Sequence, residues 1–292
     1  MLPREISARL AAGFWSWPNG IQNEIFAALL EHWGLECPDV VGHDFGGAMV
    51  LRGHLLDKRN YRSLTLIDPV ALSPWGTPLP RYARQHESIF AGLPDFIQRA
   101  VVPAYIEGAV FTPLSAEAMA LYAEPGFGPL GQPAFWRQIA QFDEKYTNEI
   151  ESKYDSFRCP VMILWGKEDK WISVDFAYKL AAKIAGSRLK IVPNAGHIVQ
   201  EDAPEAIILS SSNFFRTPEI VENARLQVGR SLHRDTKTAR EGSDCQCVVT
   251  DFLKTSLRRA GVLQPSAAGC VIANRLTEDP YCGAERNEMR DQ

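Results

Sequence analysis

Asp44 stands where a strand-like run turns into a helical one, in the order Gly42-His43-Asp44-Phe45-Gly46-Gly47. Glycines on both sides permit a sharp, strained turn that pushes one side chain out at the top of a sheet. The same turn aims the first N–H groups of the next helix at the reacting centre, where negative charge develops. A carboxylate there is ionised at neutral pH without help and can attack carbon directly. An aspartate at this place also suits the N-cap of the helix that follows. The motif alone leaves both readings open.

Two further residues extend the pattern. Asp169 follows Trp165-Gly166-Lys167-Glu168 just beyond an apolar run, and His197 closes Asn194-Ala195-Gly196 after the last such run. Singly, Asp169 reads as a turn residue and His197 as a hydrogen-bonded structural histidine. Together, nucleophile, acid and histidine come in chain order, each at the carboxyl end of a strand, where open α/β sheets build their sites. That coincidence favours a catalytic triad of Asp44, Asp169 and His197.

Short apolar runs alternating with helical stretches must position these residues, which predicts a parallel sheet. Ile21, Ile25, Leu29 and Trp33 recur as one helix face, ended by Gly34. Strands are predicted at 39–42, 64–68, 161–165 and 188–192, with helices at 46–56, 174–184 and 204–215. Residues 72–155 are rich in proline and lack a convincing strand, which predicts a helical insertion. The chain therefore divides into 1–71 and 156–215 as two parts of one core, 72–155 as a cap, and 216–292 as an unrelated, unordered extension. None of the seven tryptophans lies beyond Phe215, whereas four of the six cysteines do, and in that extension only Val248 to Leu257 suggests a short amphipathic helix.

The composition excludes more than it selects. With 292 residues, 46% hydrophobic and 23% charged, there is ample material for a core. A net charge of −4 gives no basic surface for nucleic acid or an acidic membrane. No apolar run has the length of a membrane span, and the first residues do not read as a signal peptide, so the expected location is cytoplasmic. Cys37 and Cys159 read as buried thiols beside prolines, and Cys245 with Cys247 forms a C-x-C without the histidines of a metal site. No metal or cofactor is expected.

From about Asn19 to Phe215 the chain resembles the α/β-hydrolase superfamily, and specifically its aspartate-nucleophile branch of epoxide hydrolases and haloalkane dehalogenases. The resemblance rests on Gly42-His43-Asp44-Phe45-Gly46-Gly47, on Gly166-Lys167-Glu168-Asp169, and on Gly196-His197 with the segment through Glu205. It implies an α/β-hydrolase fold with a helical cap, and attack of Asp44 on a saturated carbon to give an alkyl ester. His197 then draws a proton from water while Asp169 orients it, and the Phe45 N–H faces the oxyanion. Dehalogenases of this branch place a tryptophan after the nucleophile to hold the halide; Phe45 has no such donor. Epoxide hydrolases use cap tyrosines, for which Tyr82, Tyr105, Tyr122, Tyr146 and Tyr154 are the candidates. His43, Trp75, Trp136 and Tyr146 are the expected substrate-binding residues, around a small organic molecule. An ester or lactone hydrolase, or a non-catalytic remnant that binds small molecules, are the alternatives. The resemblance also implies four strands ahead of the first helix, and the residues before Ile21 are expected to be too few to hold them. The strand at Val40-Val41 is then expected on an open edge, inviting self-association.

Overall fold

The computed structural model describes residues 19–216, 247–250 and 270–273. Helix α1 (Asn19–His32) precedes β1 (Asp39–His43), α2 (Phe45–Leu55) and β2 (Ser63–Ile67). Between β2 and β3 (Val161–Gly166) the described chain contains helices and no strand: α3 (Pro78–Gln85), α4 (Glu87–Ala91), α5 (Asp95–Glu107), α6 (Ala116–Ala123), α7 (Gly128–Ala140) and α8 (Lys145–Glu151). Then follow α9 (Asp175–Lys183), β4 (Arg188–Val192), α10 (Val199–Asp202), α11 (Pro204–Phe215), β5 (Cys247–Thr250) and β6 (Cys270–Ala273). The result is a mainly parallel sheet flanked by helices.

The sheet order is β4-β3-β2-β1-β5-β6, parallel throughout except for the antiparallel β5–β6 pair. Strands β1, β2 and β3 are buried along their whole length, as expected when helices cover both faces. Alternation divides their side chains between two cores. Val40, Leu64, Leu66, Ile163 and Trp165 join Phe26, Leu30, Leu51 and Leu180 from α1, α2 and α9 on one face. Val41, Ile67, Met162 and Leu164 meet Val199 of α10 and Ile207 and Phe214 of α11 on the other. At the outer edge, β4 alternates exposed Arg188 and Lys190 with half-buried Leu189 and Ile191.

Two expectations are corrected. The α1 face turned to the core is Ile25, Phe26 and Leu30, while Trp33 is 38% exposed; strict four-residue spacing drifts off a face that repeats every 3.6 residues. The edge beside β1 is also paired. Val40 and Val41 lie in register with Val248 and Val249 of β5, so backbone groups expected to be open are bonded. β5 and β6 come from the stretch expected to be an unordered extension. β5 takes the first residues of the suggested 248–257 helix as strand, and the remainder of that helix, with Cys245, lies outside the described residues.

Candidate active site

The elbow is built as its glycines require. Asp44 adopts φ 50° and ψ −122°, a region that costs about 1–3 kcal/mol for a residue with a side chain. A Cβ on Gly42 would lie 2.7 Å from Val50 Cγ2 and 2.8 Å from Gly46 O, so only glycine lets the strand and helix meet this closely. Asp44 occupies the N-cap position of α2, yet its side chain makes no capping hydrogen bond. Its carboxylate is free for other work, which removes the helix-cap alternative.

Loops after β3 and β4 bring the partners. His197 Nδ1–H donates to Asp169 Oδ2 at 2.8 Å, and Nε2 faces Asp44 Oδ1 at 3.5 Å. Asp169 Oδ1 accepts the Trp171 and Ile172 N–H groups at 2.7 and 2.9 Å, which fixes the carboxylate that orients the imidazole. The two loops touch through backbone: a Cβ on Gly166 would sit 2.0 Å from Gly196 O. Asp202 binds the histidine loop to the cap, its carboxylate accepting the Gly196, Phe111 and Thr112 N–H groups, each at 2.8 Å.

The electrostatics follow from burial and charge. Burial by itself raises the Asp44 pKa, but hydrogen bonding and charge from His197, with His43 and the Phe45 N–H, carry it below the ordinary value. Burial lowers His197, but the charge and hydrogen bond of Asp169, joined by Asp44, hold it well above the ordinary histidine value. His197 is therefore held toward its cationic form and Asp44 toward its ionised form.

The expected substrate-binding residues separate. His43 is 4% exposed and its Nε2–H donates to the His197 carbonyl at 2.9 Å, so it supports the histidine from behind. Burial first, and the neighbouring His197 charge second, lower its pKa to about 4, keeping it neutral. Trp75 packs against Phe45 with ring centroids 5.4 Å apart, but its indole N–H is engaged by Thr147 Oγ1 at 3.1 Å. Trp136 has no exposed surface, donates to Gln98 Oε1 at 2.8 Å, and forms the cap's own core with Ala83 and Ile139. Tyr146 is half-buried beside the Arg52 and Lys145 cations. The partners of Trp136 and Tyr146 thus lie in the cap and along α2.

Among the candidate tyrosines, Tyr105 of α5 is the one that feels Asp44. Burial and the Asp44 charge raise its phenol above the ordinary value. Its ring stacks on Trp171 at 4.3 Å, and Trp171 in turn lies 5.1 Å from His197. Tyr122 is bonded to Glu201 and Tyr154 to the Ala71 carbonyl, while Tyr82 is 57% exposed. Sequence reasoning missed Asp68, which ends β2 directly beside the triad; an acid before Pro69 at a strand's carboxyl end was the available signal. Asp68, Asp169 and His197 are the one group of metal-type ligands among the described residues, and His197 Nδ1 is already held by Asp169.

Residues 12–208 match the sequence profile described as Alpha/beta hydrolase family. A crystal structure of an alpha/beta hydrolase fold protein from Burkholderia ambifaria is 47% identical with a TM-score of 0.65, covering 66% of this chain and 72% of that one. Monoacylglycerol lipase abhd6-A of Xenopus laevis is 30% identical over 91 residues, which are 30% of this chain and 27% of the lipase. The provisionally named carbamate hydrolase RutD of Caulobacter sp. (strain K31) is 28% identical over 189 residues, 64% of this chain and 68% of that protein. The chain thus matches about a quarter of the length of the lipase. No described helix is long and apolar enough to cross a membrane.

Proposed function

The chain belongs to the alpha/beta hydrolase family, and from that premise we propose that it opens epoxides, with carbon–halogen bonds as the neighbouring substrate class, through an alkyl ester on Asp44. The observation that carries the proposal is a carboxylate at the strained elbow, uncapped and 3.5 Å from His197 Nε2. Attack of a carboxylate on an ester carbonyl would give a reactive anhydride. Attack on a saturated carbon gives a stable ester that must then be hydrolysed.

The charges suit that sequence. Asp44 displaces the epoxide oxygen, which takes a proton from Tyr105, the cap phenol beside Asp44. Alkylation removes the Asp44 charge and with it one of the two anions that hold the His197 proton. His197 thereby becomes a better proton donor, returns its proton to the Tyr105 phenolate left by ring opening, and in its neutral form can act as base. It takes a proton from water, the hydroxide adds to the Asp44 carboxyl carbon, and the Phe45 N–H stabilises the oxyanion before the diol leaves. Epoxide opening is preferred to halide release because the Phe45 side chain offers no donor and the Trp75 and Trp136 N–H groups are engaged by Thr147 and Gln98. The lipase and carbamate hydrolase among its relatives favour a second reading, an ester or lactone hydrolase.

His197→Gln separates the two. Exposed to an aryl epoxide such as styrene oxide, it should be alkylated and stall, with the added mass on Asp44 in peptide maps. An unmodified Asp44, or an adduct on Ser73 or Cys37, overturns the aspartate mechanism.

A further inference from the structure

Asp68 is the buried acid that the proposed chemistry leaves unused. It has no exposed surface and a left-handed backbone at φ 39°. Its Oδ1 accepts the Gly166 N–H at 2.9 Å, while Oδ2, equally buried, meets no donor among the described residues. Ligand atoms of Asp68, Asp169 and His197 lie within 4.8 Å of one another, which makes the two carboxyl groups close neighbours. Two ionised carboxylates so close in a buried site repel strongly, so one of them keeps a proton. Asp169 already accepts three hydrogen bonds, from the Trp171, Ile172 and His197 N–H groups. Asp68 receives one. The proton therefore belongs on Asp68.

We propose that Asp68 is a neutral positioning acid, whose Oδ2–H donates to Asp169 and holds the Asp169–His197 pair from behind. The chain of bonds then runs from Gly166 N–H to Asp68, from Asp68 to Asp169, and from His197 to Asp169. This donor shares the Asp169 carboxylate with His197, so the His197 proton is held less tightly than it would be by an unshared acceptor. Burial first, and the Asp169 charge second, hold the Asp68 carboxyl well above the usual range, with His197 opposing them. Asp169 and His197 are the titratable groups facing it, and Asp44 and His43 adjoin His197. On the β3 loop, Lys167 and Lys170 are exposed and Glu168 is bonded to the Ala195 N–H.

The proposal rests on the triad geometry of the proposed function, and its test needs no turnover. The full chain carrying carboxyl-labelled aspartate is titrated by carbon NMR. One signal, lost in Asp68→Asn, should keep the shift of a protonated acid at neutral pH. If that signal titrates near the ordinary aspartate value of about 4, the proposal fails. The His197 imidazole is titrated alongside. Asparagine is neutral, keeps an acceptor for Gly166 and supplies an N–H to Asp169, so Asp68→Asn should leave the His197 midpoint unchanged. Asp68→Ala removes the donor and should raise it. An ionised Asp68 predicts the opposite for Asp68→Asn, a fall of about one unit as a negative charge disappears; that result overturns the proposal even if the alanine variant does not fold. Neither arm depends on the fate of Asp44, so each reading can fail alone.

Discussion

Mild acid should destabilise this fold by a countable number of protons. His54 has no exposed surface; its Nδ1–H donates to the Arg59 carbonyl at 2.8 Å and its Nε2 accepts the Arg158 N–H at 3.1 Å. Both bonds need a neutral ring. Burial first, then the Arg158 charge, lower its pKa to about 4, and His43 is lowered as far by burial and His197. Unfolded, both histidines would bind protons near pH 6.5, so between about pH 6 and 4.5 the unfolded chain takes up two protons that the native chain refuses. Asp68 works the other way: raised in the native state, it keeps a proton that the unfolded chain releases until the carboxylate range. His197, raised above its ordinary value, is charged in both states below about pH 6 and drops out. The net is one proton, or about 1.4 kcal/mol per pH unit, which is about 2 kcal/mol lost across this window. Asp68→Asn removes the offset and should double the loss to about 4 kcal/mol. Urea unfolding followed by circular dichroism at several pH values measures both slopes. Stability that is flat with pH, or equal slopes in the two proteins, would refute the assignment of these three buried groups.

Two other substitutions probe the cap. Tyr105→Phe should slow the alkylation of Asp44 by an epoxide about a hundredfold, the worth of one donor to developing charge, and leave hydrolysis of the ester nearly unchanged, as rapid-quench kinetics can resolve. Asp202→Ala strips a half-buried carboxylate from three backbone N–H groups and should cost about 2–3 kcal/mol, read as a lower thermal midpoint, together with weaker activity as the His197 loop loosens.

Much of this architecture was legible because its signals are local. Parallel strands buried on both faces read as continuous apolar runs, and the turn at Asp44 advertises itself by its glycines. Asp169 and His197 each lie just past a strand, and the common direction of the strands puts such residues at one end. What escaped depends on contacts remote in sequence. The indoles of Trp75 and Trp136 looked available until Thr147 and Gln98 were seen to engage them. The neutral state of His43 and the strained acid Asp68 follow from burial against the histidine and acid loops. β5 was invisible because four residues carry no periodicity of their own; its identity as a strand comes from lying against β1.

The alternating cations of β4 bear on how the protein behaves in a crowd. Lys190 reaches Ser210 Oγ at 2.7 Å and Arg188 lies over the Phe214 ring, so both also anchor α11. Their charges and long stems stand along the row of backbone groups that a foreign strand would have to approach, a common guard against intermolecular sheet growth. The opposite flank, beyond β6, reads Cys-Val-Ile-Ala and carries no charged residue. A strand joining the sheet beside β4 would therefore have to displace two cations from the backbone it needs, a cost that the sequence of β6 does not itself impose.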